Sequence, residues 1–243
     1  EYYIDKETPY FKEYAKEFTD MPFLVRVEDI NGAVQPGRFL NAKDLGSKED
    51  GADFQTVLID ETTNEIVVPN GTMGDRHTNP QKWNLRLENR NTGAKIDPRL
   101  SVFDQRQDVT VVKLPYFGDE EHEGVIERAI PTITVQTVDG PVKVTTVYDL
   151  ILANYGIDRG IGGEVATSYT DDTPYTPTWQ EKITGVKADI AIATAREFAD
   201  NAEKTKGRSM IIMGGGINHW YHADVIYRTI LNLIMFCGTE GVN

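Results

Sequence analysis

The chain has 243 residues, 40% of them hydrophobic and 9% aromatic, enough for one large domain or two smaller ones with cores of their own. Its 38 acidic and 25 basic residues leave a net charge of −13, which repels phosphate backbones and excludes a nucleic-acid partner. A single cysteine, Cys237, excludes an internal disulfide framework and any multi-cysteine zinc or iron–sulfur site built from this chain alone. The acidic balance otherwise reads as solubility, with an acidic docking face as the alternative. Glu1-Tyr2-Tyr3-Ile4-Asp5-Lys6 lacks the basic start and apolar core of a signal peptide. The longest apolar run, Ile230 to Cys237, falls well short of the roughly 20 residues that cross a bilayer. With no initiator Met and a stop at Gly241-Val242-Asn243, a piece of a longer polypeptide is expected.

Thr8-Pro9 opens a helix, with Thr as cap and Pro at the first position. Tyr10, Phe11, Tyr14 and Phe18 form its apolar stripe, and Pro22 stops it. The period then changes to that of strands. Phe23 to Val27 and Gly37 to Leu40 flank an Asn31-Gly32 turn as a hairpin. A second hairpin runs from Val57-Leu58-Ile59 through Thr63-Asn64 to Ile66-Val67-Val68. Short strands are expected around Trp83-Asn84-Leu85, Val109 to Val112, and Ile133-Thr134-Val135, the last turning at Asp139-Gly140 into Val142-Lys143-Val144. Polar, turn-rich stretches such as Asn70-Gly71 and Asn91-Thr92-Gly93 separate them.

The remainder reads as helical. Thr146 with Asp149 three positions on resembles a capping box for a helix that ends near Gly156. A Gly-, Ser-, Thr- and Asp-rich loop runs from Asp158 to Thr176. Thr176-Pro177 then opens a short helix that Gly185 closes. A longer helix follows from Lys187 to Lys204, with Ile190, Ala191, Ala195, Phe198 and Ala202 facing inward and Gly207 ending it. Ser209-Met210-Ile211-Ile212-Met213 is nearly all apolar, as expected of a parallel strand covered on both faces. Gly214-Gly215-Gly216 comes next, then an apolar helix from Trp220 to Cys237 that buries the thiol. The expected fold class is mixed α/β. Residues 1–144 form a β-rich region with an N-terminal helix, and 145–243 a helical α/β region with a buried strand–glycine turn–helix unit.

That unit carries the sharpest chemical signal. Glycines after a buried strand let backbone approach a phosphate, and the next helix points free N–H groups at the anion. The dinucleotide fingerprint is incomplete, because His219 stands where its third glycine belongs. A tight turn with no ligand remains the competing reading. Asn218 and His219, at the mouth of the turn, can hydrogen-bond a heterocycle, and Trp220 or Tyr221 can stack on one. His219, His222 and Asp224 are close enough in sequence to share a metal, but no further ligand is evident, so no metal site is assigned. Asp171-Asp172 and Asp119-Glu120-Glu121 read as solvated loop carboxylates, and His77 and His122 lack a partner pattern. No nucleophile–base set stands out, and no catalytic residue is assigned.

Several segments in chain order resemble the catalytic alpha subunit of membrane-bound respiratory nitrate reductases. They are Phe18-Thr19-Asp20-Met21-Pro22, Lys82-Trp83-Asn84, Pro115-Tyr116-Phe117-Gly118, Thr145 to Leu150 and Leu152 to Gly156. Further on come Ala166 to Tyr169, Tyr175-Thr176-Pro177, Ile183 to Val186 and Ala195 to Ala202. The likeness is densest at Gly207 to Ile212 and Asn218-His219-Trp220-Tyr221-His222. The resemblance implies a molybdenum oxidoreductase of the dimethyl sulfoxide reductase superfamily. Such a subunit carries bis-molybdopterin guanine dinucleotide and a [4Fe-4S] cluster and reduces nitrate to nitrite. Its electrons come from quinol through an iron–sulfur beta subunit and a membrane cytochrome b gamma subunit, at the cytoplasmic face of the cell membrane.

The resemblance places Gly214, Gly215, Gly216, Asn218 and His219 against the dinucleotide, the glycines by backbone and the two side chains by hydrogen bonds. The family's cysteine and histidine cluster ligands and its aspartate ligand to molybdenum have no counterpart in the chain. The chain by itself is therefore expected to hold no cofactor and to be inactive. A related selenate or chlorate reductase, and a non-enzymatic phosphate- or nucleotide-binding module, are the alternatives.

Overall fold

The computed structural model describes residues 6–71, 86–116 and 124–240. Thr8-Pro9 starts α1 (Pro9–Phe18), which buries Phe11, Tyr14 and Ala15 and leaves Phe18 outside the core. β1 (Leu24–Ile30) and β2 (Ala33–Phe39) pair antiparallel through the expected turn. Asn31 and Gly32 both take positive φ, 58° and 82°, which suits the right-handed twist of a two-residue hairpin. The second hairpin forms as two short strands, β3 (Leu58–Ile59) and β4 (Ile66–Val67). β5 (Pro69–Asn70) pairs with β6 (Arg86–Asn89), a ladder hidden in the sequence by its polar composition. Trp83-Asn84-Leu85, Asp119-Glu120-Glu121, His77 and His122 lie outside the described residues.

β7 (Asp108–Pro115), β8 (Val125–Thr137) and β9 (Gly140–Thr146) complete a five-stranded antiparallel sheet in the order β2-β1-β9-β8-β7. The sheet curls, bringing its edge strands β2 and β7 together. β8 is much longer than its Ile133-Thr134-Val135 signature. Its first half pairs with β7 as far as Thr132, and pairing with β9 begins at Ile133. Pro131 therefore sits where the strand has one neighbour, and its missing N–H costs no ladder bond on the other side. One apolar cluster, including Leu24, Leu40, Val57, Val135 and Val144, fills the space between the sheet and β3.

Among the described residues every α-helix after α1 follows β9. In α2 (Val147–Asn154) the Thr146 hydroxyl accepts from the Asp149 N–H at 3.1 Å and donates to the Asp149 carboxylate at 2.8 Å. α3 (Pro177–Thr184) has the expected Thr176 cap and ends at Gly185, whose φ of 75° suits a residue without Cβ. α4 (Ala188–Thr205) differs from expectation in its buried face. Ala199 and Ala202 are buried, but Ile190 is 55% exposed and Ala195 is also exposed. α6 (Ala223–Phe236) is the apolar helix expected from Trp220 to Cys237, starting three residues later, and a short α5 (Gly215–Asn218) precedes it within the glycine turn.

α1 joins the helical core. Phe11 and Ala15 pack with Tyr148, Leu152, Ala199, Ala202 and Cys237. Tyr10 and Tyr14 donate to the carbonyls of Gly238 and Glu240 at 2.6 and 2.7 Å, tying the first helix to the end of the last. Burial pushes the Cys237 thiol up to about 11, so almost no thiolate exists at pH 8. Alkylation by iodoacetamide at that pH is expected to be about 100-fold slower in the native protein than in the denatured chain. Equal rates would contradict the packing of Cys237.

One expectation is corrected. Residues 208–214 form no strand, and Met210 and Ile212 are 78% and 85% exposed. Ser209 is turned inward. Its hydroxyl donates to the Phe198 carbonyl at 3.0 Å and accepts from Asn201 at 2.8 Å. A strand exists only through a ladder, and none of the described residues supplies a neighbour to this run. The apolar residues that a covered strand would bury therefore face outward.

Candidate cofactor-contact site

Gly214, Gly215, Gly216, Asn218 and His219 fall within six consecutive residues, and all five are exposed. The turn's backbone is thus open to an approaching group rather than sealed in a core. A Cβ built on Gly214 or Gly216 meets nothing within 4 Å, and one on Gly215 meets only His219 Nε2, at 3.9 Å. None of the three has a positive φ, so the fold itself makes no demand for glycine here. The open space above them is what a large ligand lying on bare backbone would need.

The helix that follows corrects the anion-site argument. α5 has only 4 residues, too few to gather a macrodipole, and Gly215, Gly216 and Asn218 lie inside it. Contacts at this turn must come from individual N–H groups and side chains. Tyr227 of α6 donates to the carboxamide oxygen of Asn218, which orients the amide and turns its NH₂ away from that bond. His219 ends α5, and Trp220 and Tyr221 beyond it are 71% and 93% exposed. The ring of His222 packs edge-on to Tyr221 at 4.4 Å. Among the described residues no group of three His, Cys, Asp or Glu side chains is placed to hold a metal. Asp171 caps its own loop, accepting from the Thr167 and Ser168 N–H groups, and Asp172 pairs with Lys182.

A separate apolar cavity of about 590 Å³ opens between α2, α3, α4 and α6, lined by Tyr155, Tyr169, Tyr175, Ile192, Ile230 and Leu233 among others. None of the five turn residues reaches it.

Two polar centres escaped the sequence reading. Asp149, buried beneath the sheet, accepts from Thr146 and the Val102 N–H on one oxygen, and from Ser101 and Arg159 on the other. Arg159 also donates to Ser101 at 2.8 Å and lies 4.3 Å over the Phe103 ring. Arg128 of β8 is wholly buried, and among the described residues none of its guanidinium nitrogens has a hydrogen-bond partner. Burial presses its pKa below the ordinary value, opposed through space by the exposed Glu164. The available signal was the strand alternation Ile126, Arg128, Ile130, which puts a charge on the core face.

No family model matches the chain. Among curated proteins it is 47% identical over 243 residues to the nitrate reductase alpha chain of Bacillus subtilis, covering 100% of this chain and 20% of that protein. It is 44% identical over 254 residues to the respiratory nitrate reductase 1 alpha chain of Escherichia coli, covering 99% of this chain and 20% of that one. The chain belongs to the nitrate reductase alpha-chain family. A Mycobacterium tuberculosis nitrate reductase alpha subunit is 42% identical over 248 residues, covering 100% of this chain and again 20% of the relative. The chain thus spans about a fifth of the length of the nitrate reductase alpha chains it matches. The exposed Met210, Ile212, Trp220 and Tyr221 accordingly belong to a nitrate reductase segment much shorter than its relatives.

Proposed function

We propose that the chain is a segment of a respiratory nitrate reductase alpha subunit, and that the whole subunit reduces nitrate to nitrite. The reading rests on one observation, the 42–47% identity to nitrate reductase alpha chains along the chain. In this reading the remainder of the subunit covers the outward apolar residues between Met210 and Leu233, including Met210, Ile212 and those of α6.

A bis-molybdopterin guanine dinucleotide would supply the metal that takes an oxygen atom from nitrate as two electrons and two protons are consumed. The chain's part is to hold it. Gly214, Gly215 and Gly216 leave space for backbone contact, and Asn218 and His219 offer N–H donors beside that space. No acid, base or metal ligand is assigned to the chain. With Cys237 as its single cysteine, it cannot by itself ligate a [4Fe-4S] cluster through four thiolates, so that cluster belongs elsewhere in the subunit. An iron–sulfur beta subunit and a cytochrome b gamma subunit would bring electrons from quinol and hold the assembly at the cytoplasmic face of the membrane.

The test is nitrate-dependent oxidation of a reduced viologen dye by the complete subunit. Turnover with nitrate at least about tenfold above that with chlorate or selenate, in kcat/KM, is the expected result. A preference for either of the other oxyanions, or no turnover by molybdenum-loaded protein, overturns the assignment.

A further inference from the structure

The carboxamide at the end of α5 is held by a residue of the next helix. Tyr227 of α6 donates its phenolic O–H to Asn218 Oδ1, a bond that reaches nine positions back along the chain. An asparagine side chain has two ends of opposite sign, an oxygen that accepts and an NH₂ that donates twice. Its last torsion is broad and roughly two-fold, so an unheld amide exchanges the two ends at little cost. An exposed Asn218 left to itself would offer an anion a donor in one setting and a repelling oxygen in the other. The phenol has one proton to give, and giving it to Oδ1 settles the choice. Among the described residues Nδ2 is then left without an acceptor.

The phenol can hold its place because α6 is fixed at its other end. Tyr227 is half-buried. One turn further on, Asn232 donates to the Tyr155 hydroxyl at 3.3 Å. Cys237, which caps α6, packs with Phe11 and Leu152 in the helical core, and the Tyr10 hydroxyl donates to the Gly238 carbonyl just beyond. The setting of the Asn218 amide is thus referred to the core through α6, while Gly214 and Gly216 beside it stay open.

We propose that Tyr227 is a positioning residue for the cofactor contact, locking the Asn218 carboxamide so that its NH₂ donates to an oxygen of the dinucleotide. The inference rests on the reading of residues 214–219 as that contact. Tyr227 acts through Asn218 alone and takes no part in nitrate chemistry. Without its hydroxyl the amide turns freely, and retention of the cofactor falls by about the worth of one hydrogen bond, roughly fivefold.

The test is a double-mutant cycle in the complete alpha subunit, with Tyr227→Phe, Asn218→Ala and the pair. The rate at which guanine nucleotide leaves the purified subunit is read, with the urea midpoint as a separate measure of folding. Where a variant loads poorly, nucleotide content per folded subunit is read on the same cycle. Release should quicken about fivefold in Tyr227→Phe and at least as much in Asn218→Ala, and the pair should be no faster than Asn218→Ala. A hydroxyl that merely packs would quicken release equally with Asn218 absent. Additive effects, or normal release from Tyr227→Phe beside fast release from Asn218→Ala, overturn the positioning role and leave the Asn218 contact standing. Normal release from Asn218→Ala removes both the contact and the role of Tyr227, and Gly216→Val then decides whether the turn meets the cofactor at all.

Discussion

Asp149→Ala is expected to destabilise the protein by about 3–5 kcal/mol, read as the loss of unfolding free energy in urea. The carboxylate is completely buried and answers four donors, from Thr146, Val102, Ser101 and Arg159. Removing it strands the Arg159 guanidinium, whose side chain is only 12% exposed, and leaves the Val102 N–H unpaired. It also cuts the link between the N-terminus of α2 and the segment at residues 101–103, which holds the helix to the β-rich half. Ser101→Ala removes one hydroxyl and keeps the ion pair, so a cost of about 1 kcal/mol is expected. If the two variants lose the same amount, the ion pair contributes nothing of its own and the network is hydrated.

Gly216→Val should do the reverse, sparing stability and removing function. The added side chain meets open space and the backbone has no positive φ, so unfolding free energy should change by less than about 0.5 kcal/mol, apart from a small propensity term. In the whole alpha subunit the same side chain would stand where the dinucleotide is proposed to lie. Molybdenum and guanine nucleotide released on denaturation should fall at least about tenfold, corresponding to about 1.4 kcal/mol of lost binding. Normal cofactor content in a stably folded variant would remove the glycine turn from the contact list. Because stability and loading are read separately, a general folding defect cannot imitate the expected result.

Local chemistry made much of the fold legible. Asn31-Gly32 set a hairpin because both residues tolerate positive φ, and Thr146 and Thr176 set helix starts because their hydroxyls satisfy an otherwise orphaned N–H. Elements whose signal is not local were shortened or missed. β8 hides its first half behind Arg128 and Pro131, which look wrong for a strand until its change of partners is seen. β5 and β6 are polar and short, and only their pairing defines them. The five turn residues were singled out from glycine spacing and the Asn-His-Trp-Tyr-His run, but the short α5 was not expected, since its run of glycines reads as a turn.

From the amino-acid order alone came the mixed α/β class, most turns and caps, the exposed-glycine candidate and the family resemblance, all of which depend on neighbours within a few positions. Only the tertiary structure decided that α1 completes the helical core, that Asp149 and Arg159 pair in a buried network with Ser101, and that Arg128 of β8 is wholly buried. It also decided that Met210 and Ile212 face outward. Burial and charge pairing are properties of what arrives from far along the chain, and a periodic pattern states a need for a neighbour without saying whether one comes.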